Sequence, residues 1–263
     1  MPSIFVLGAV DCVNNHVIYV RFSLPKPSNS KIVARANQSL PSTADADRSE
    51  NLPRCGAEES GSLSTAVAET LNDLGNVERD QNRMEDARKA YVEALTIFRE
   101  SAQKNPETYL ADVAKTLNDL GKLDCDQNRL DDARKAFDEA LTIRRQLVQK
   151  NPEIYLPDVA ETLNNIGVFY SKQNRTTEAR KAYGEALTMR RELAKENPEA
   201  YLSDVGKTLY NMGELGRERK RMKEARKGLD EALRIYEPLA NQDPEQFSPD
   251  VMRVKKLLDE LPR

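Results

Sequence analysis

The stretch "NPETYLADVAKTLNDLG" at 105–121 returns as "NPEIYLPDVAETLNNIG" at 151–167 and as "NPEAYLSDVGKTLYNMG" at 197–213, 46 residues further on each time. "TLNDLG" stands once more at 70–75. A second stretch keeps the same period: "DARKA" at 86–90 and 132–136, "EARKA" at 178–182 and "EARKG" at 224–228. Asn-Pro at 105–106, 151–152 and 197–198 becomes Asp-Pro at 243–244. A period held without insertion means that each unit meets the next through the same contacts, so the chain folds as a linear array and not around one large core. Composition agrees, because 32 % charged residues, 6 % aromatic residues and no Trp suit units that each bury only a narrow stripe.

Each unit reads as two helices. Leu110, Val113, Leu117 and Leu120 fall on one helical face, and Ala133, Phe137, Ala140, Leu141, Leu147 and Val148 mark a second. Between them, Asn82, Asn128 and Asn174 suit a left-handed residue just past a helix end. Lys220 holds that place in the fourth unit and predicts a less well-formed turn. Pro157 is costly inside a helix and harmless at its first position. It therefore predicts that the third unit's first helix starts near 157, with "NPEIYL" as a connector. "SPD" at 248–250 repeats that arrangement. Residues 1–61 are expected to be mostly disordered, with a short hairpin at 4–22 as the one candidate element. Residues 62–248 hold four repeats, and 249–263 form a capping helix with a polar outer face.

A net charge of -3 speaks against non-specific attraction to nucleic acid or acidic lipid. Cys12, Cys55 and Cys125 are odd in number and lack ligand spacing, which argues for a reducing, cytoplasmic setting. No apolar run reaches the ~18 residues of a membrane span, and "IFVLGAV" lacks the flanks of a signal peptide. Catalysis finds little support. His16 is the only histidine, no Ser-His-Asp or Cys-His set can be assembled in the array, and neither "GxxxxGK[ST]" nor "GxGxxG" occurs. Neither enzyme activity, cofactor nor metal is expected, and Cys125 reads as a packing thiol. The Arg-Lys pairs at 88–89, 134–135, 180–181 and 226–227 stand before Glu93, Glu139, Glu185 and Glu231, each four residues beyond the lysine. They read as a solvated outer face neutralised within each helix, and the Arg-Arg pairs at 144–145 and 190–191 are read likewise.

Leu74-Gly75, Ala87, Tyr91 and Ala94-Leu95 resemble the tetratricopeptide repeat pattern in order and spacing. So do Leu120-Gly121, Ala133, Phe137 and Ala140-Leu141, then Ile166-Gly167, Ala179, Tyr183 and Ala186-Leu187, and finally Met212-Gly213, Ala225, Leu229 and Ala232-Leu233. Small residues let two helices cross closely, and the larger ones fill the space beside them. The usual unit of that family has 34 residues. Here the second helix runs on through "TIFRESAQK" or "TIRRQLVQK", which is similar to the long repeats of kinesin light chains and of many bacterial and archaeal scaffold proteins. The aromatic residue usual near the end of the first helix survives only as Tyr170, with Glu78, Asp124 and Gly216 elsewhere.

The resemblance implies an all-α, right-handed α-solenoid of antiparallel helix pairs, with four 46-residue repeats and a C-terminal capping helix. It also implies protein or peptide binding in a concave groove lined by the first helices. The candidate groove residues are Asn72 and Asp73, Asn118 and Asp119, Asn164 and Asn165, and Tyr210 and Asn211, with Lys122 beside them. Asn both donates and accepts, so a ladder of Asn holds an extended strand whatever its side chains. The competing reading makes these residues polar positions tuned for packing between repeats. On the groove reading Asn118, Asn164 and Asn211 lie outside the core, and their replacement by Ala leaves the fold nearly intact. The Lys, Asn and Arg set with which some family members clamp a terminal carboxylate is not reproduced. The resulting expectation is a non-catalytic scaffold or adaptor for a protein or peptide partner, with no nucleic acid and no membrane involved. The alternative is a regulatory or self-assembling module, homodimeric or acting on a separately encoded enzyme.

Overall fold

The computed structural model describes the backbone of residues 4–13, 16–24 and 57–262. Strands β1 (Ile4–Val13) and β2 (His16–Leu24) pair antiparallel, with a register shift between Ala9 and Asp11. Nine helices follow among the described residues: α1 (Ala57–Asp80), α2 (Met84–Lys104), α3 (Pro106–Asp126), α4 (Leu130–Lys150), α5 (Pro152–Lys172), α6 (Thr176–Glu196), α7 (Pro198–Glu218), α8 (Met222–Gln242) and α9 (Pro244–Asp259). The greater part of 1–61, expected to be disordered, lies outside the described residues. The chain divides into two compact units, Met1–Leu123 and Asp124–Arg263. In the first, α1 packs on α2; in the second, α4 through α9 pack each on the next. This helical part is all-α and built of successive helix pairs, as the 46-residue period implies.

The two helices of a pair meet where a glycine faces a large side chain. A Cβ on Gly75 would stand 2.5 Å from the ring of Tyr91, and one on Gly213 would stand 2.6 Å from Leu229. Gly167 meets the ring of Tyr183 in the same way. Both tyrosines are fully buried, and burial pushes both hydroxyls above the ordinary tyrosine range. Tyr91 donates to Asn76 Oδ1 at 2.8 Å.

The turn from first to second helix has three residues, the middle one left-handed: Asn82 (φ 61°), Asn128 (φ 58°), Asn174 (φ 61°) and Lys220 (φ 57°). The expectation of a looser fourth turn is not met. The Arg221 amide bonds Gly216 O at 2.8 Å and the Lys220 amide bonds Arg217 O at 3.0 Å, matching Arg83 to Glu78 O at 2.8 Å and Asn82 to Arg79 O at 2.9 Å. These paired bonds hold the carbonyls at the helix end, and together they impose the left-handed conformation on a lysine.

The first helices begin earlier than Pro157 and Pro249 suggested. They start at Pro106, Pro152, Pro198 and Pro244, and a single residue joins each to the helix before it. Asn197 Oδ1 accepts from the Ala200 amide at 3.2 Å, and Asp243 Oδ1 accepts from Gln246 at 3.0 Å. An Asn or Asp cap followed by proline at the first position is thus the true helix start. "NPEIYL" is helix, and the last helix starts at 244, not 249. Pro157 sits inside α5, where its missing N–H leaves the carbonyl of Glu153, an exposed residue, to solvent.

Gly167→Leu should destabilise the chain by at least ~1–3 kcal/mol in urea unfolding, because the ring of Tyr183 has nowhere to go. A midpoint equal to the parent's would place the crossing elsewhere. Lys220→Asn should raise stability by about 1 kcal/mol, since a left-handed conformation costs an ordinary residue ~1–2 kcal/mol and Asn less. The same unfolding experiment checks it.

Candidate protein-interaction surface

The polar pairs of the first helices do not all face solvent. Asn72, Asn118 and Asn164 are 2 %, 1 % and 1 % exposed, and Asp119 is 5 % exposed. Asp73, Lys122, Asn165, Tyr210 and Asn211 are half-buried. The expectation that Asn118 and Asn164 lie outside the core is therefore wrong, for a steric reason: neighbouring first helices approach closely enough to enclose the inner member of each pair. Enclosure requires partners. In the first unit Asn72 Nδ2 donates to Asp119 Oδ2 at 3.4 Å, and Lys122 holds the other oxygen of Asp119 at 2.7 Å. In the second unit Asn211 Nδ2 donates to Asn164 Oδ1 at 3.1 Å. Each bond joins the inner residue of one repeat to the outer residue of the next, 47 positions on.

The outer Asp73, Asn165 and Asn211 keep one side accessible, as does Tyr210 at the inner position of the fourth repeat, whereas the outer Asp119 is buried. Tyr210 lies against the apolar cluster of Val205, Leu209 and Tyr236, and the Arg253 guanidinium stands 6.0 Å from its ring centre. Burial raises the Tyr210 hydroxyl, and Glu214 adds to the shift. Burial also raises Glu214, with Glu218 adding to it. Of the neighbouring cations, Lys115, Lys172 and Lys207 are exposed, and Lys172 bonds Asp126 at 2.8 Å. Cys125 is 8 % exposed, and burial pushes its thiol up, away from the reactive thiolate form. Among the described residues no group of three or more His, Cys, Asp or Glu side chains could hold a metal ion. None of the described helices is long and apolar enough to cross a membrane.

Sequence reasoning misplaced the Arg-Arg pairs. Arg145 and Arg191 are exposed, but Arg144 and Arg190 are 3 % and 2 % exposed. Arg144 donates to Asp158 O at 2.7 Å and to Thr162 Oγ1 at 2.5 Å. Arg190 donates to Asp204 O at 2.9 Å and to Thr208 Oγ1 at 2.6 Å. Each guanidinium ties a second helix to the first helix of the next repeat, and burial lowers the Arg190 pKa. Nor are Glu185 and Glu231 neutralised within their own helices. Glu185 pairs with Arg145 at 2.6 Å and Glu231 with Arg191 at 2.5 Å, both from the preceding repeat. The available signal was the run of Phe98, Arg144, Arg190 and Tyr236 at one repeat position, where the two aromatics mark it as interior.

With this geometry in place, comparison with known proteins is direct. The tetratricopeptide repeat family model matches residues 67–146 and 112–192. Residues 67–192 carry tetratricopeptide repeats. Its fold is similar to the crystal structure of BtubC (BKLC) from P. vanneervenii, with a TM-score of 0.61 and 21 % identity over 77 % of this chain and 74 % of that one. A second similar structure comes from the functional characterisation of Pseudomonas aeruginosa pilF, with a TM-score of 0.48 and 17 % identity over 75 % and 77 % of the two chains. No curated protein sequence matches. Repeats of this family generally mediate protein–protein interaction.

Asn211→Ala should cost ~1–3 kcal/mol in denaturant unfolding, because it strips the buried Asn164 of its donor. A loss below ~0.5 kcal/mol would mean that the bond is not part of the packing between repeats.

Proposed function

We propose that the chain is a non-catalytic interaction scaffold that holds a peptide or protein partner against the first helices of its repeats. The single observation that carries this reading is the split between inner and outer polar residues. In the second unit the inner Asn164 is buried and bonds the outer Asn211, so Asn165, Tyr210 and Asn211 stand half-exposed on helices tied to each other. In the first unit Asp73 and Lys122 take the corresponding role, with Asn72 and Asp119 behind them. Asn118 is buried support of the same kind. Polar groups fixed in advance lose little entropy on binding, which is how such a surface gains affinity without a deep pocket. The buried thiol of Cys125 agrees with a cytoplasmic setting.

The reading can be tested by selecting a phage-displayed random peptide library on the full chain. Selected peptides should lose about fivefold or more in affinity for the Asn165→Ala, Tyr210→Ala double variant, at ~0.5–1.5 kcal/mol for each hydrogen bond removed. They should bind Lys181→Ala, altered on a second helix, as they bind the parent. The opposite pattern would move the partner to the second helices and end the proposal.

A further inference from the structure

The fourth repeat leaves one arginine without the neighbour that its counterparts have. In the first repeat Arg83 pairs with the carboxylate of Glu78. In the third repeat the Arg175 guanidinium lies 4.5 Å from the centre of the Tyr170 ring. The matching residues of the fourth repeat are Arg221 and Gly216, and a glycine offers the guanidinium no side chain. Arg221 reaches only Glu224, at 3.7 Å, a carboxylate whose other oxygen Arg180 holds at 3.3 Å. Two further changes act in the same place. Arg219 stands where the other repeats have Gln81, Gln127 and Gln173, and Gly228 stands where they have Ala90, Ala136 and Ala182.

Gly216 and Gly228 line a cleft of about 250 Å³ between α6, α7 and α8. Leu209, Met212 and Leu215 form its apolar side, and Arg219, Arg221 and Lys227 border it. Arg219 donates to Asn174 Oδ1, a neutral acceptor, at 2.6 Å. Lys227 has no partner among the described residues. The two carboxylates at the border are engaged, Glu224 by Arg180 and Glu231 by Arg191 at 2.5 Å. Relative to the first repeat, Gly216 in place of Glu78 removes one negative charge, and Arg219 in place of Gln81 adds one positive charge. At these two positions the fourth repeat is two charges more positive than the first.

We propose that this cleft binds a small organic phosphate. The doubly charged phosphate group lies among Arg219, Arg221 and Lys227, as the Glu78 carboxylate lies beside Arg83 in the first repeat. The organic body rests on Leu209, Met212 and Leu215, in the space that the Tyr170 ring takes in the third. Guanidinium groups bind phosphate oxygens through paired N–H donors and keep their charge at any physiological pH. The apolar side favours burial of a ring or a short chain. The volume lies just below the ~300–1,000 Å³ of small-molecule sites, which suits a ligand of one ring and one phosphate. The inference stands apart from the protein-binding reading, because neither its ligand nor its site involves the Asn165 and Tyr210 surface.

Phenyl phosphate, which joins a ring to a dianion, is the probe. Isothermal titration of the full chain should show one saturable site with Kd below about 1 mM. Phenyl sulfate has the same ring and a single charge, and inorganic phosphate has the charge and no ring. Each should bind about fivefold more weakly or worse. Arg219→Gln, which copies Gln173, and Arg221→Gln should each weaken phenyl phosphate about fivefold or more. Gly228→Leu fills the cleft, and a Cβ there comes no closer than 3.4 Å to its neighbours, so the variant should fold. Its affinity should fall about tenfold or more. If thermal melting shows it unfolded, Thr176→Leu, which copies Leu130, takes its place. Lys181→Gln, altered at the counterpart of Lys227 in the third repeat, should bind like the parent. The proposal is overturned if phenyl phosphate shows no saturable binding, or if both arginine variants keep the parent's affinity. Equal binding of inorganic phosphate also overturns it, since the apolar side would then have no role. So does a loss in Lys181→Gln as large as that in Arg219→Gln, which would mean diffuse attraction to surface charge. The peptide selection is untouched by any of these outcomes, so the two readings fail separately.

Discussion

A glycine under a large side chain sets the spacing of the first, third and fourth helix pairs. Gly75 beneath Tyr91 and Gly167 beneath Tyr183 bring two backbones closer than any side chain would permit. The ring then fills the space beside the crossing and is itself sealed from water. Other features are placed by that distance. The three-residue turn must close over it with a left-handed residue, and the alanines Ala87, Ala133 and Ala179, each 0 % exposed, line its edge. In the fourth repeat Leu229 replaces the ring and still fills the site under Gly213, so the geometry tolerates a branched aliphatic side chain in place of the aromatic one.

Between repeats the chain uses a different chemistry. Apolar packing there is supplemented by directed polar bonds: Asn211 to Asn164 among first helices, and Arg144 and Arg190 from a second helix to the next first helix. These bonds fix orientation where apolar contact alone would allow sliding. Where the guanidinium is absent, the deficit is visible. Phe98 occupies the equivalent position in the first unit, and the buried Thr116 Oγ1 has no hydrogen-bond partner among the described residues. A buried hydroxyl without a partner is costly; where the guanidinium is present the hydroxyl is satisfied, although Nε of Arg144 and of Arg190 is then the atom left unpaired.

The period, the two helices per unit and the left-handed asparagines were all legible, because each follows from local chemistry that a sequence displays. Helix starts were misjudged because two prolines compete for the same role in each unit. Pro152 takes the first position of α5 although Asn151 makes no side-chain capping bond, and Pro157 is carried inside the helix. Tertiary enclosure was the least legible property. Asn164 and Arg190 carry polar side chains that read as solvated, and only the approach of a neighbouring helix buries them. On the candidate surface the sequence could not tell the inner residue of each pair, which a neighbouring helix encloses, from the outer one.

The one-residue joints at Asn105, Asn151, Asn197 and Asp243 leave the array without slack. A residue added or removed there rotates the following helix by about 100°, carrying its apolar stripe off its neighbour. A whole unit of 46 residues can be gained or lost with every remaining interface intact. Gene duplication in complete units is therefore the growth route this architecture accepts, and small length changes near the joints are the ones it purges. The even spacing of the four copies is the imprint of that filter.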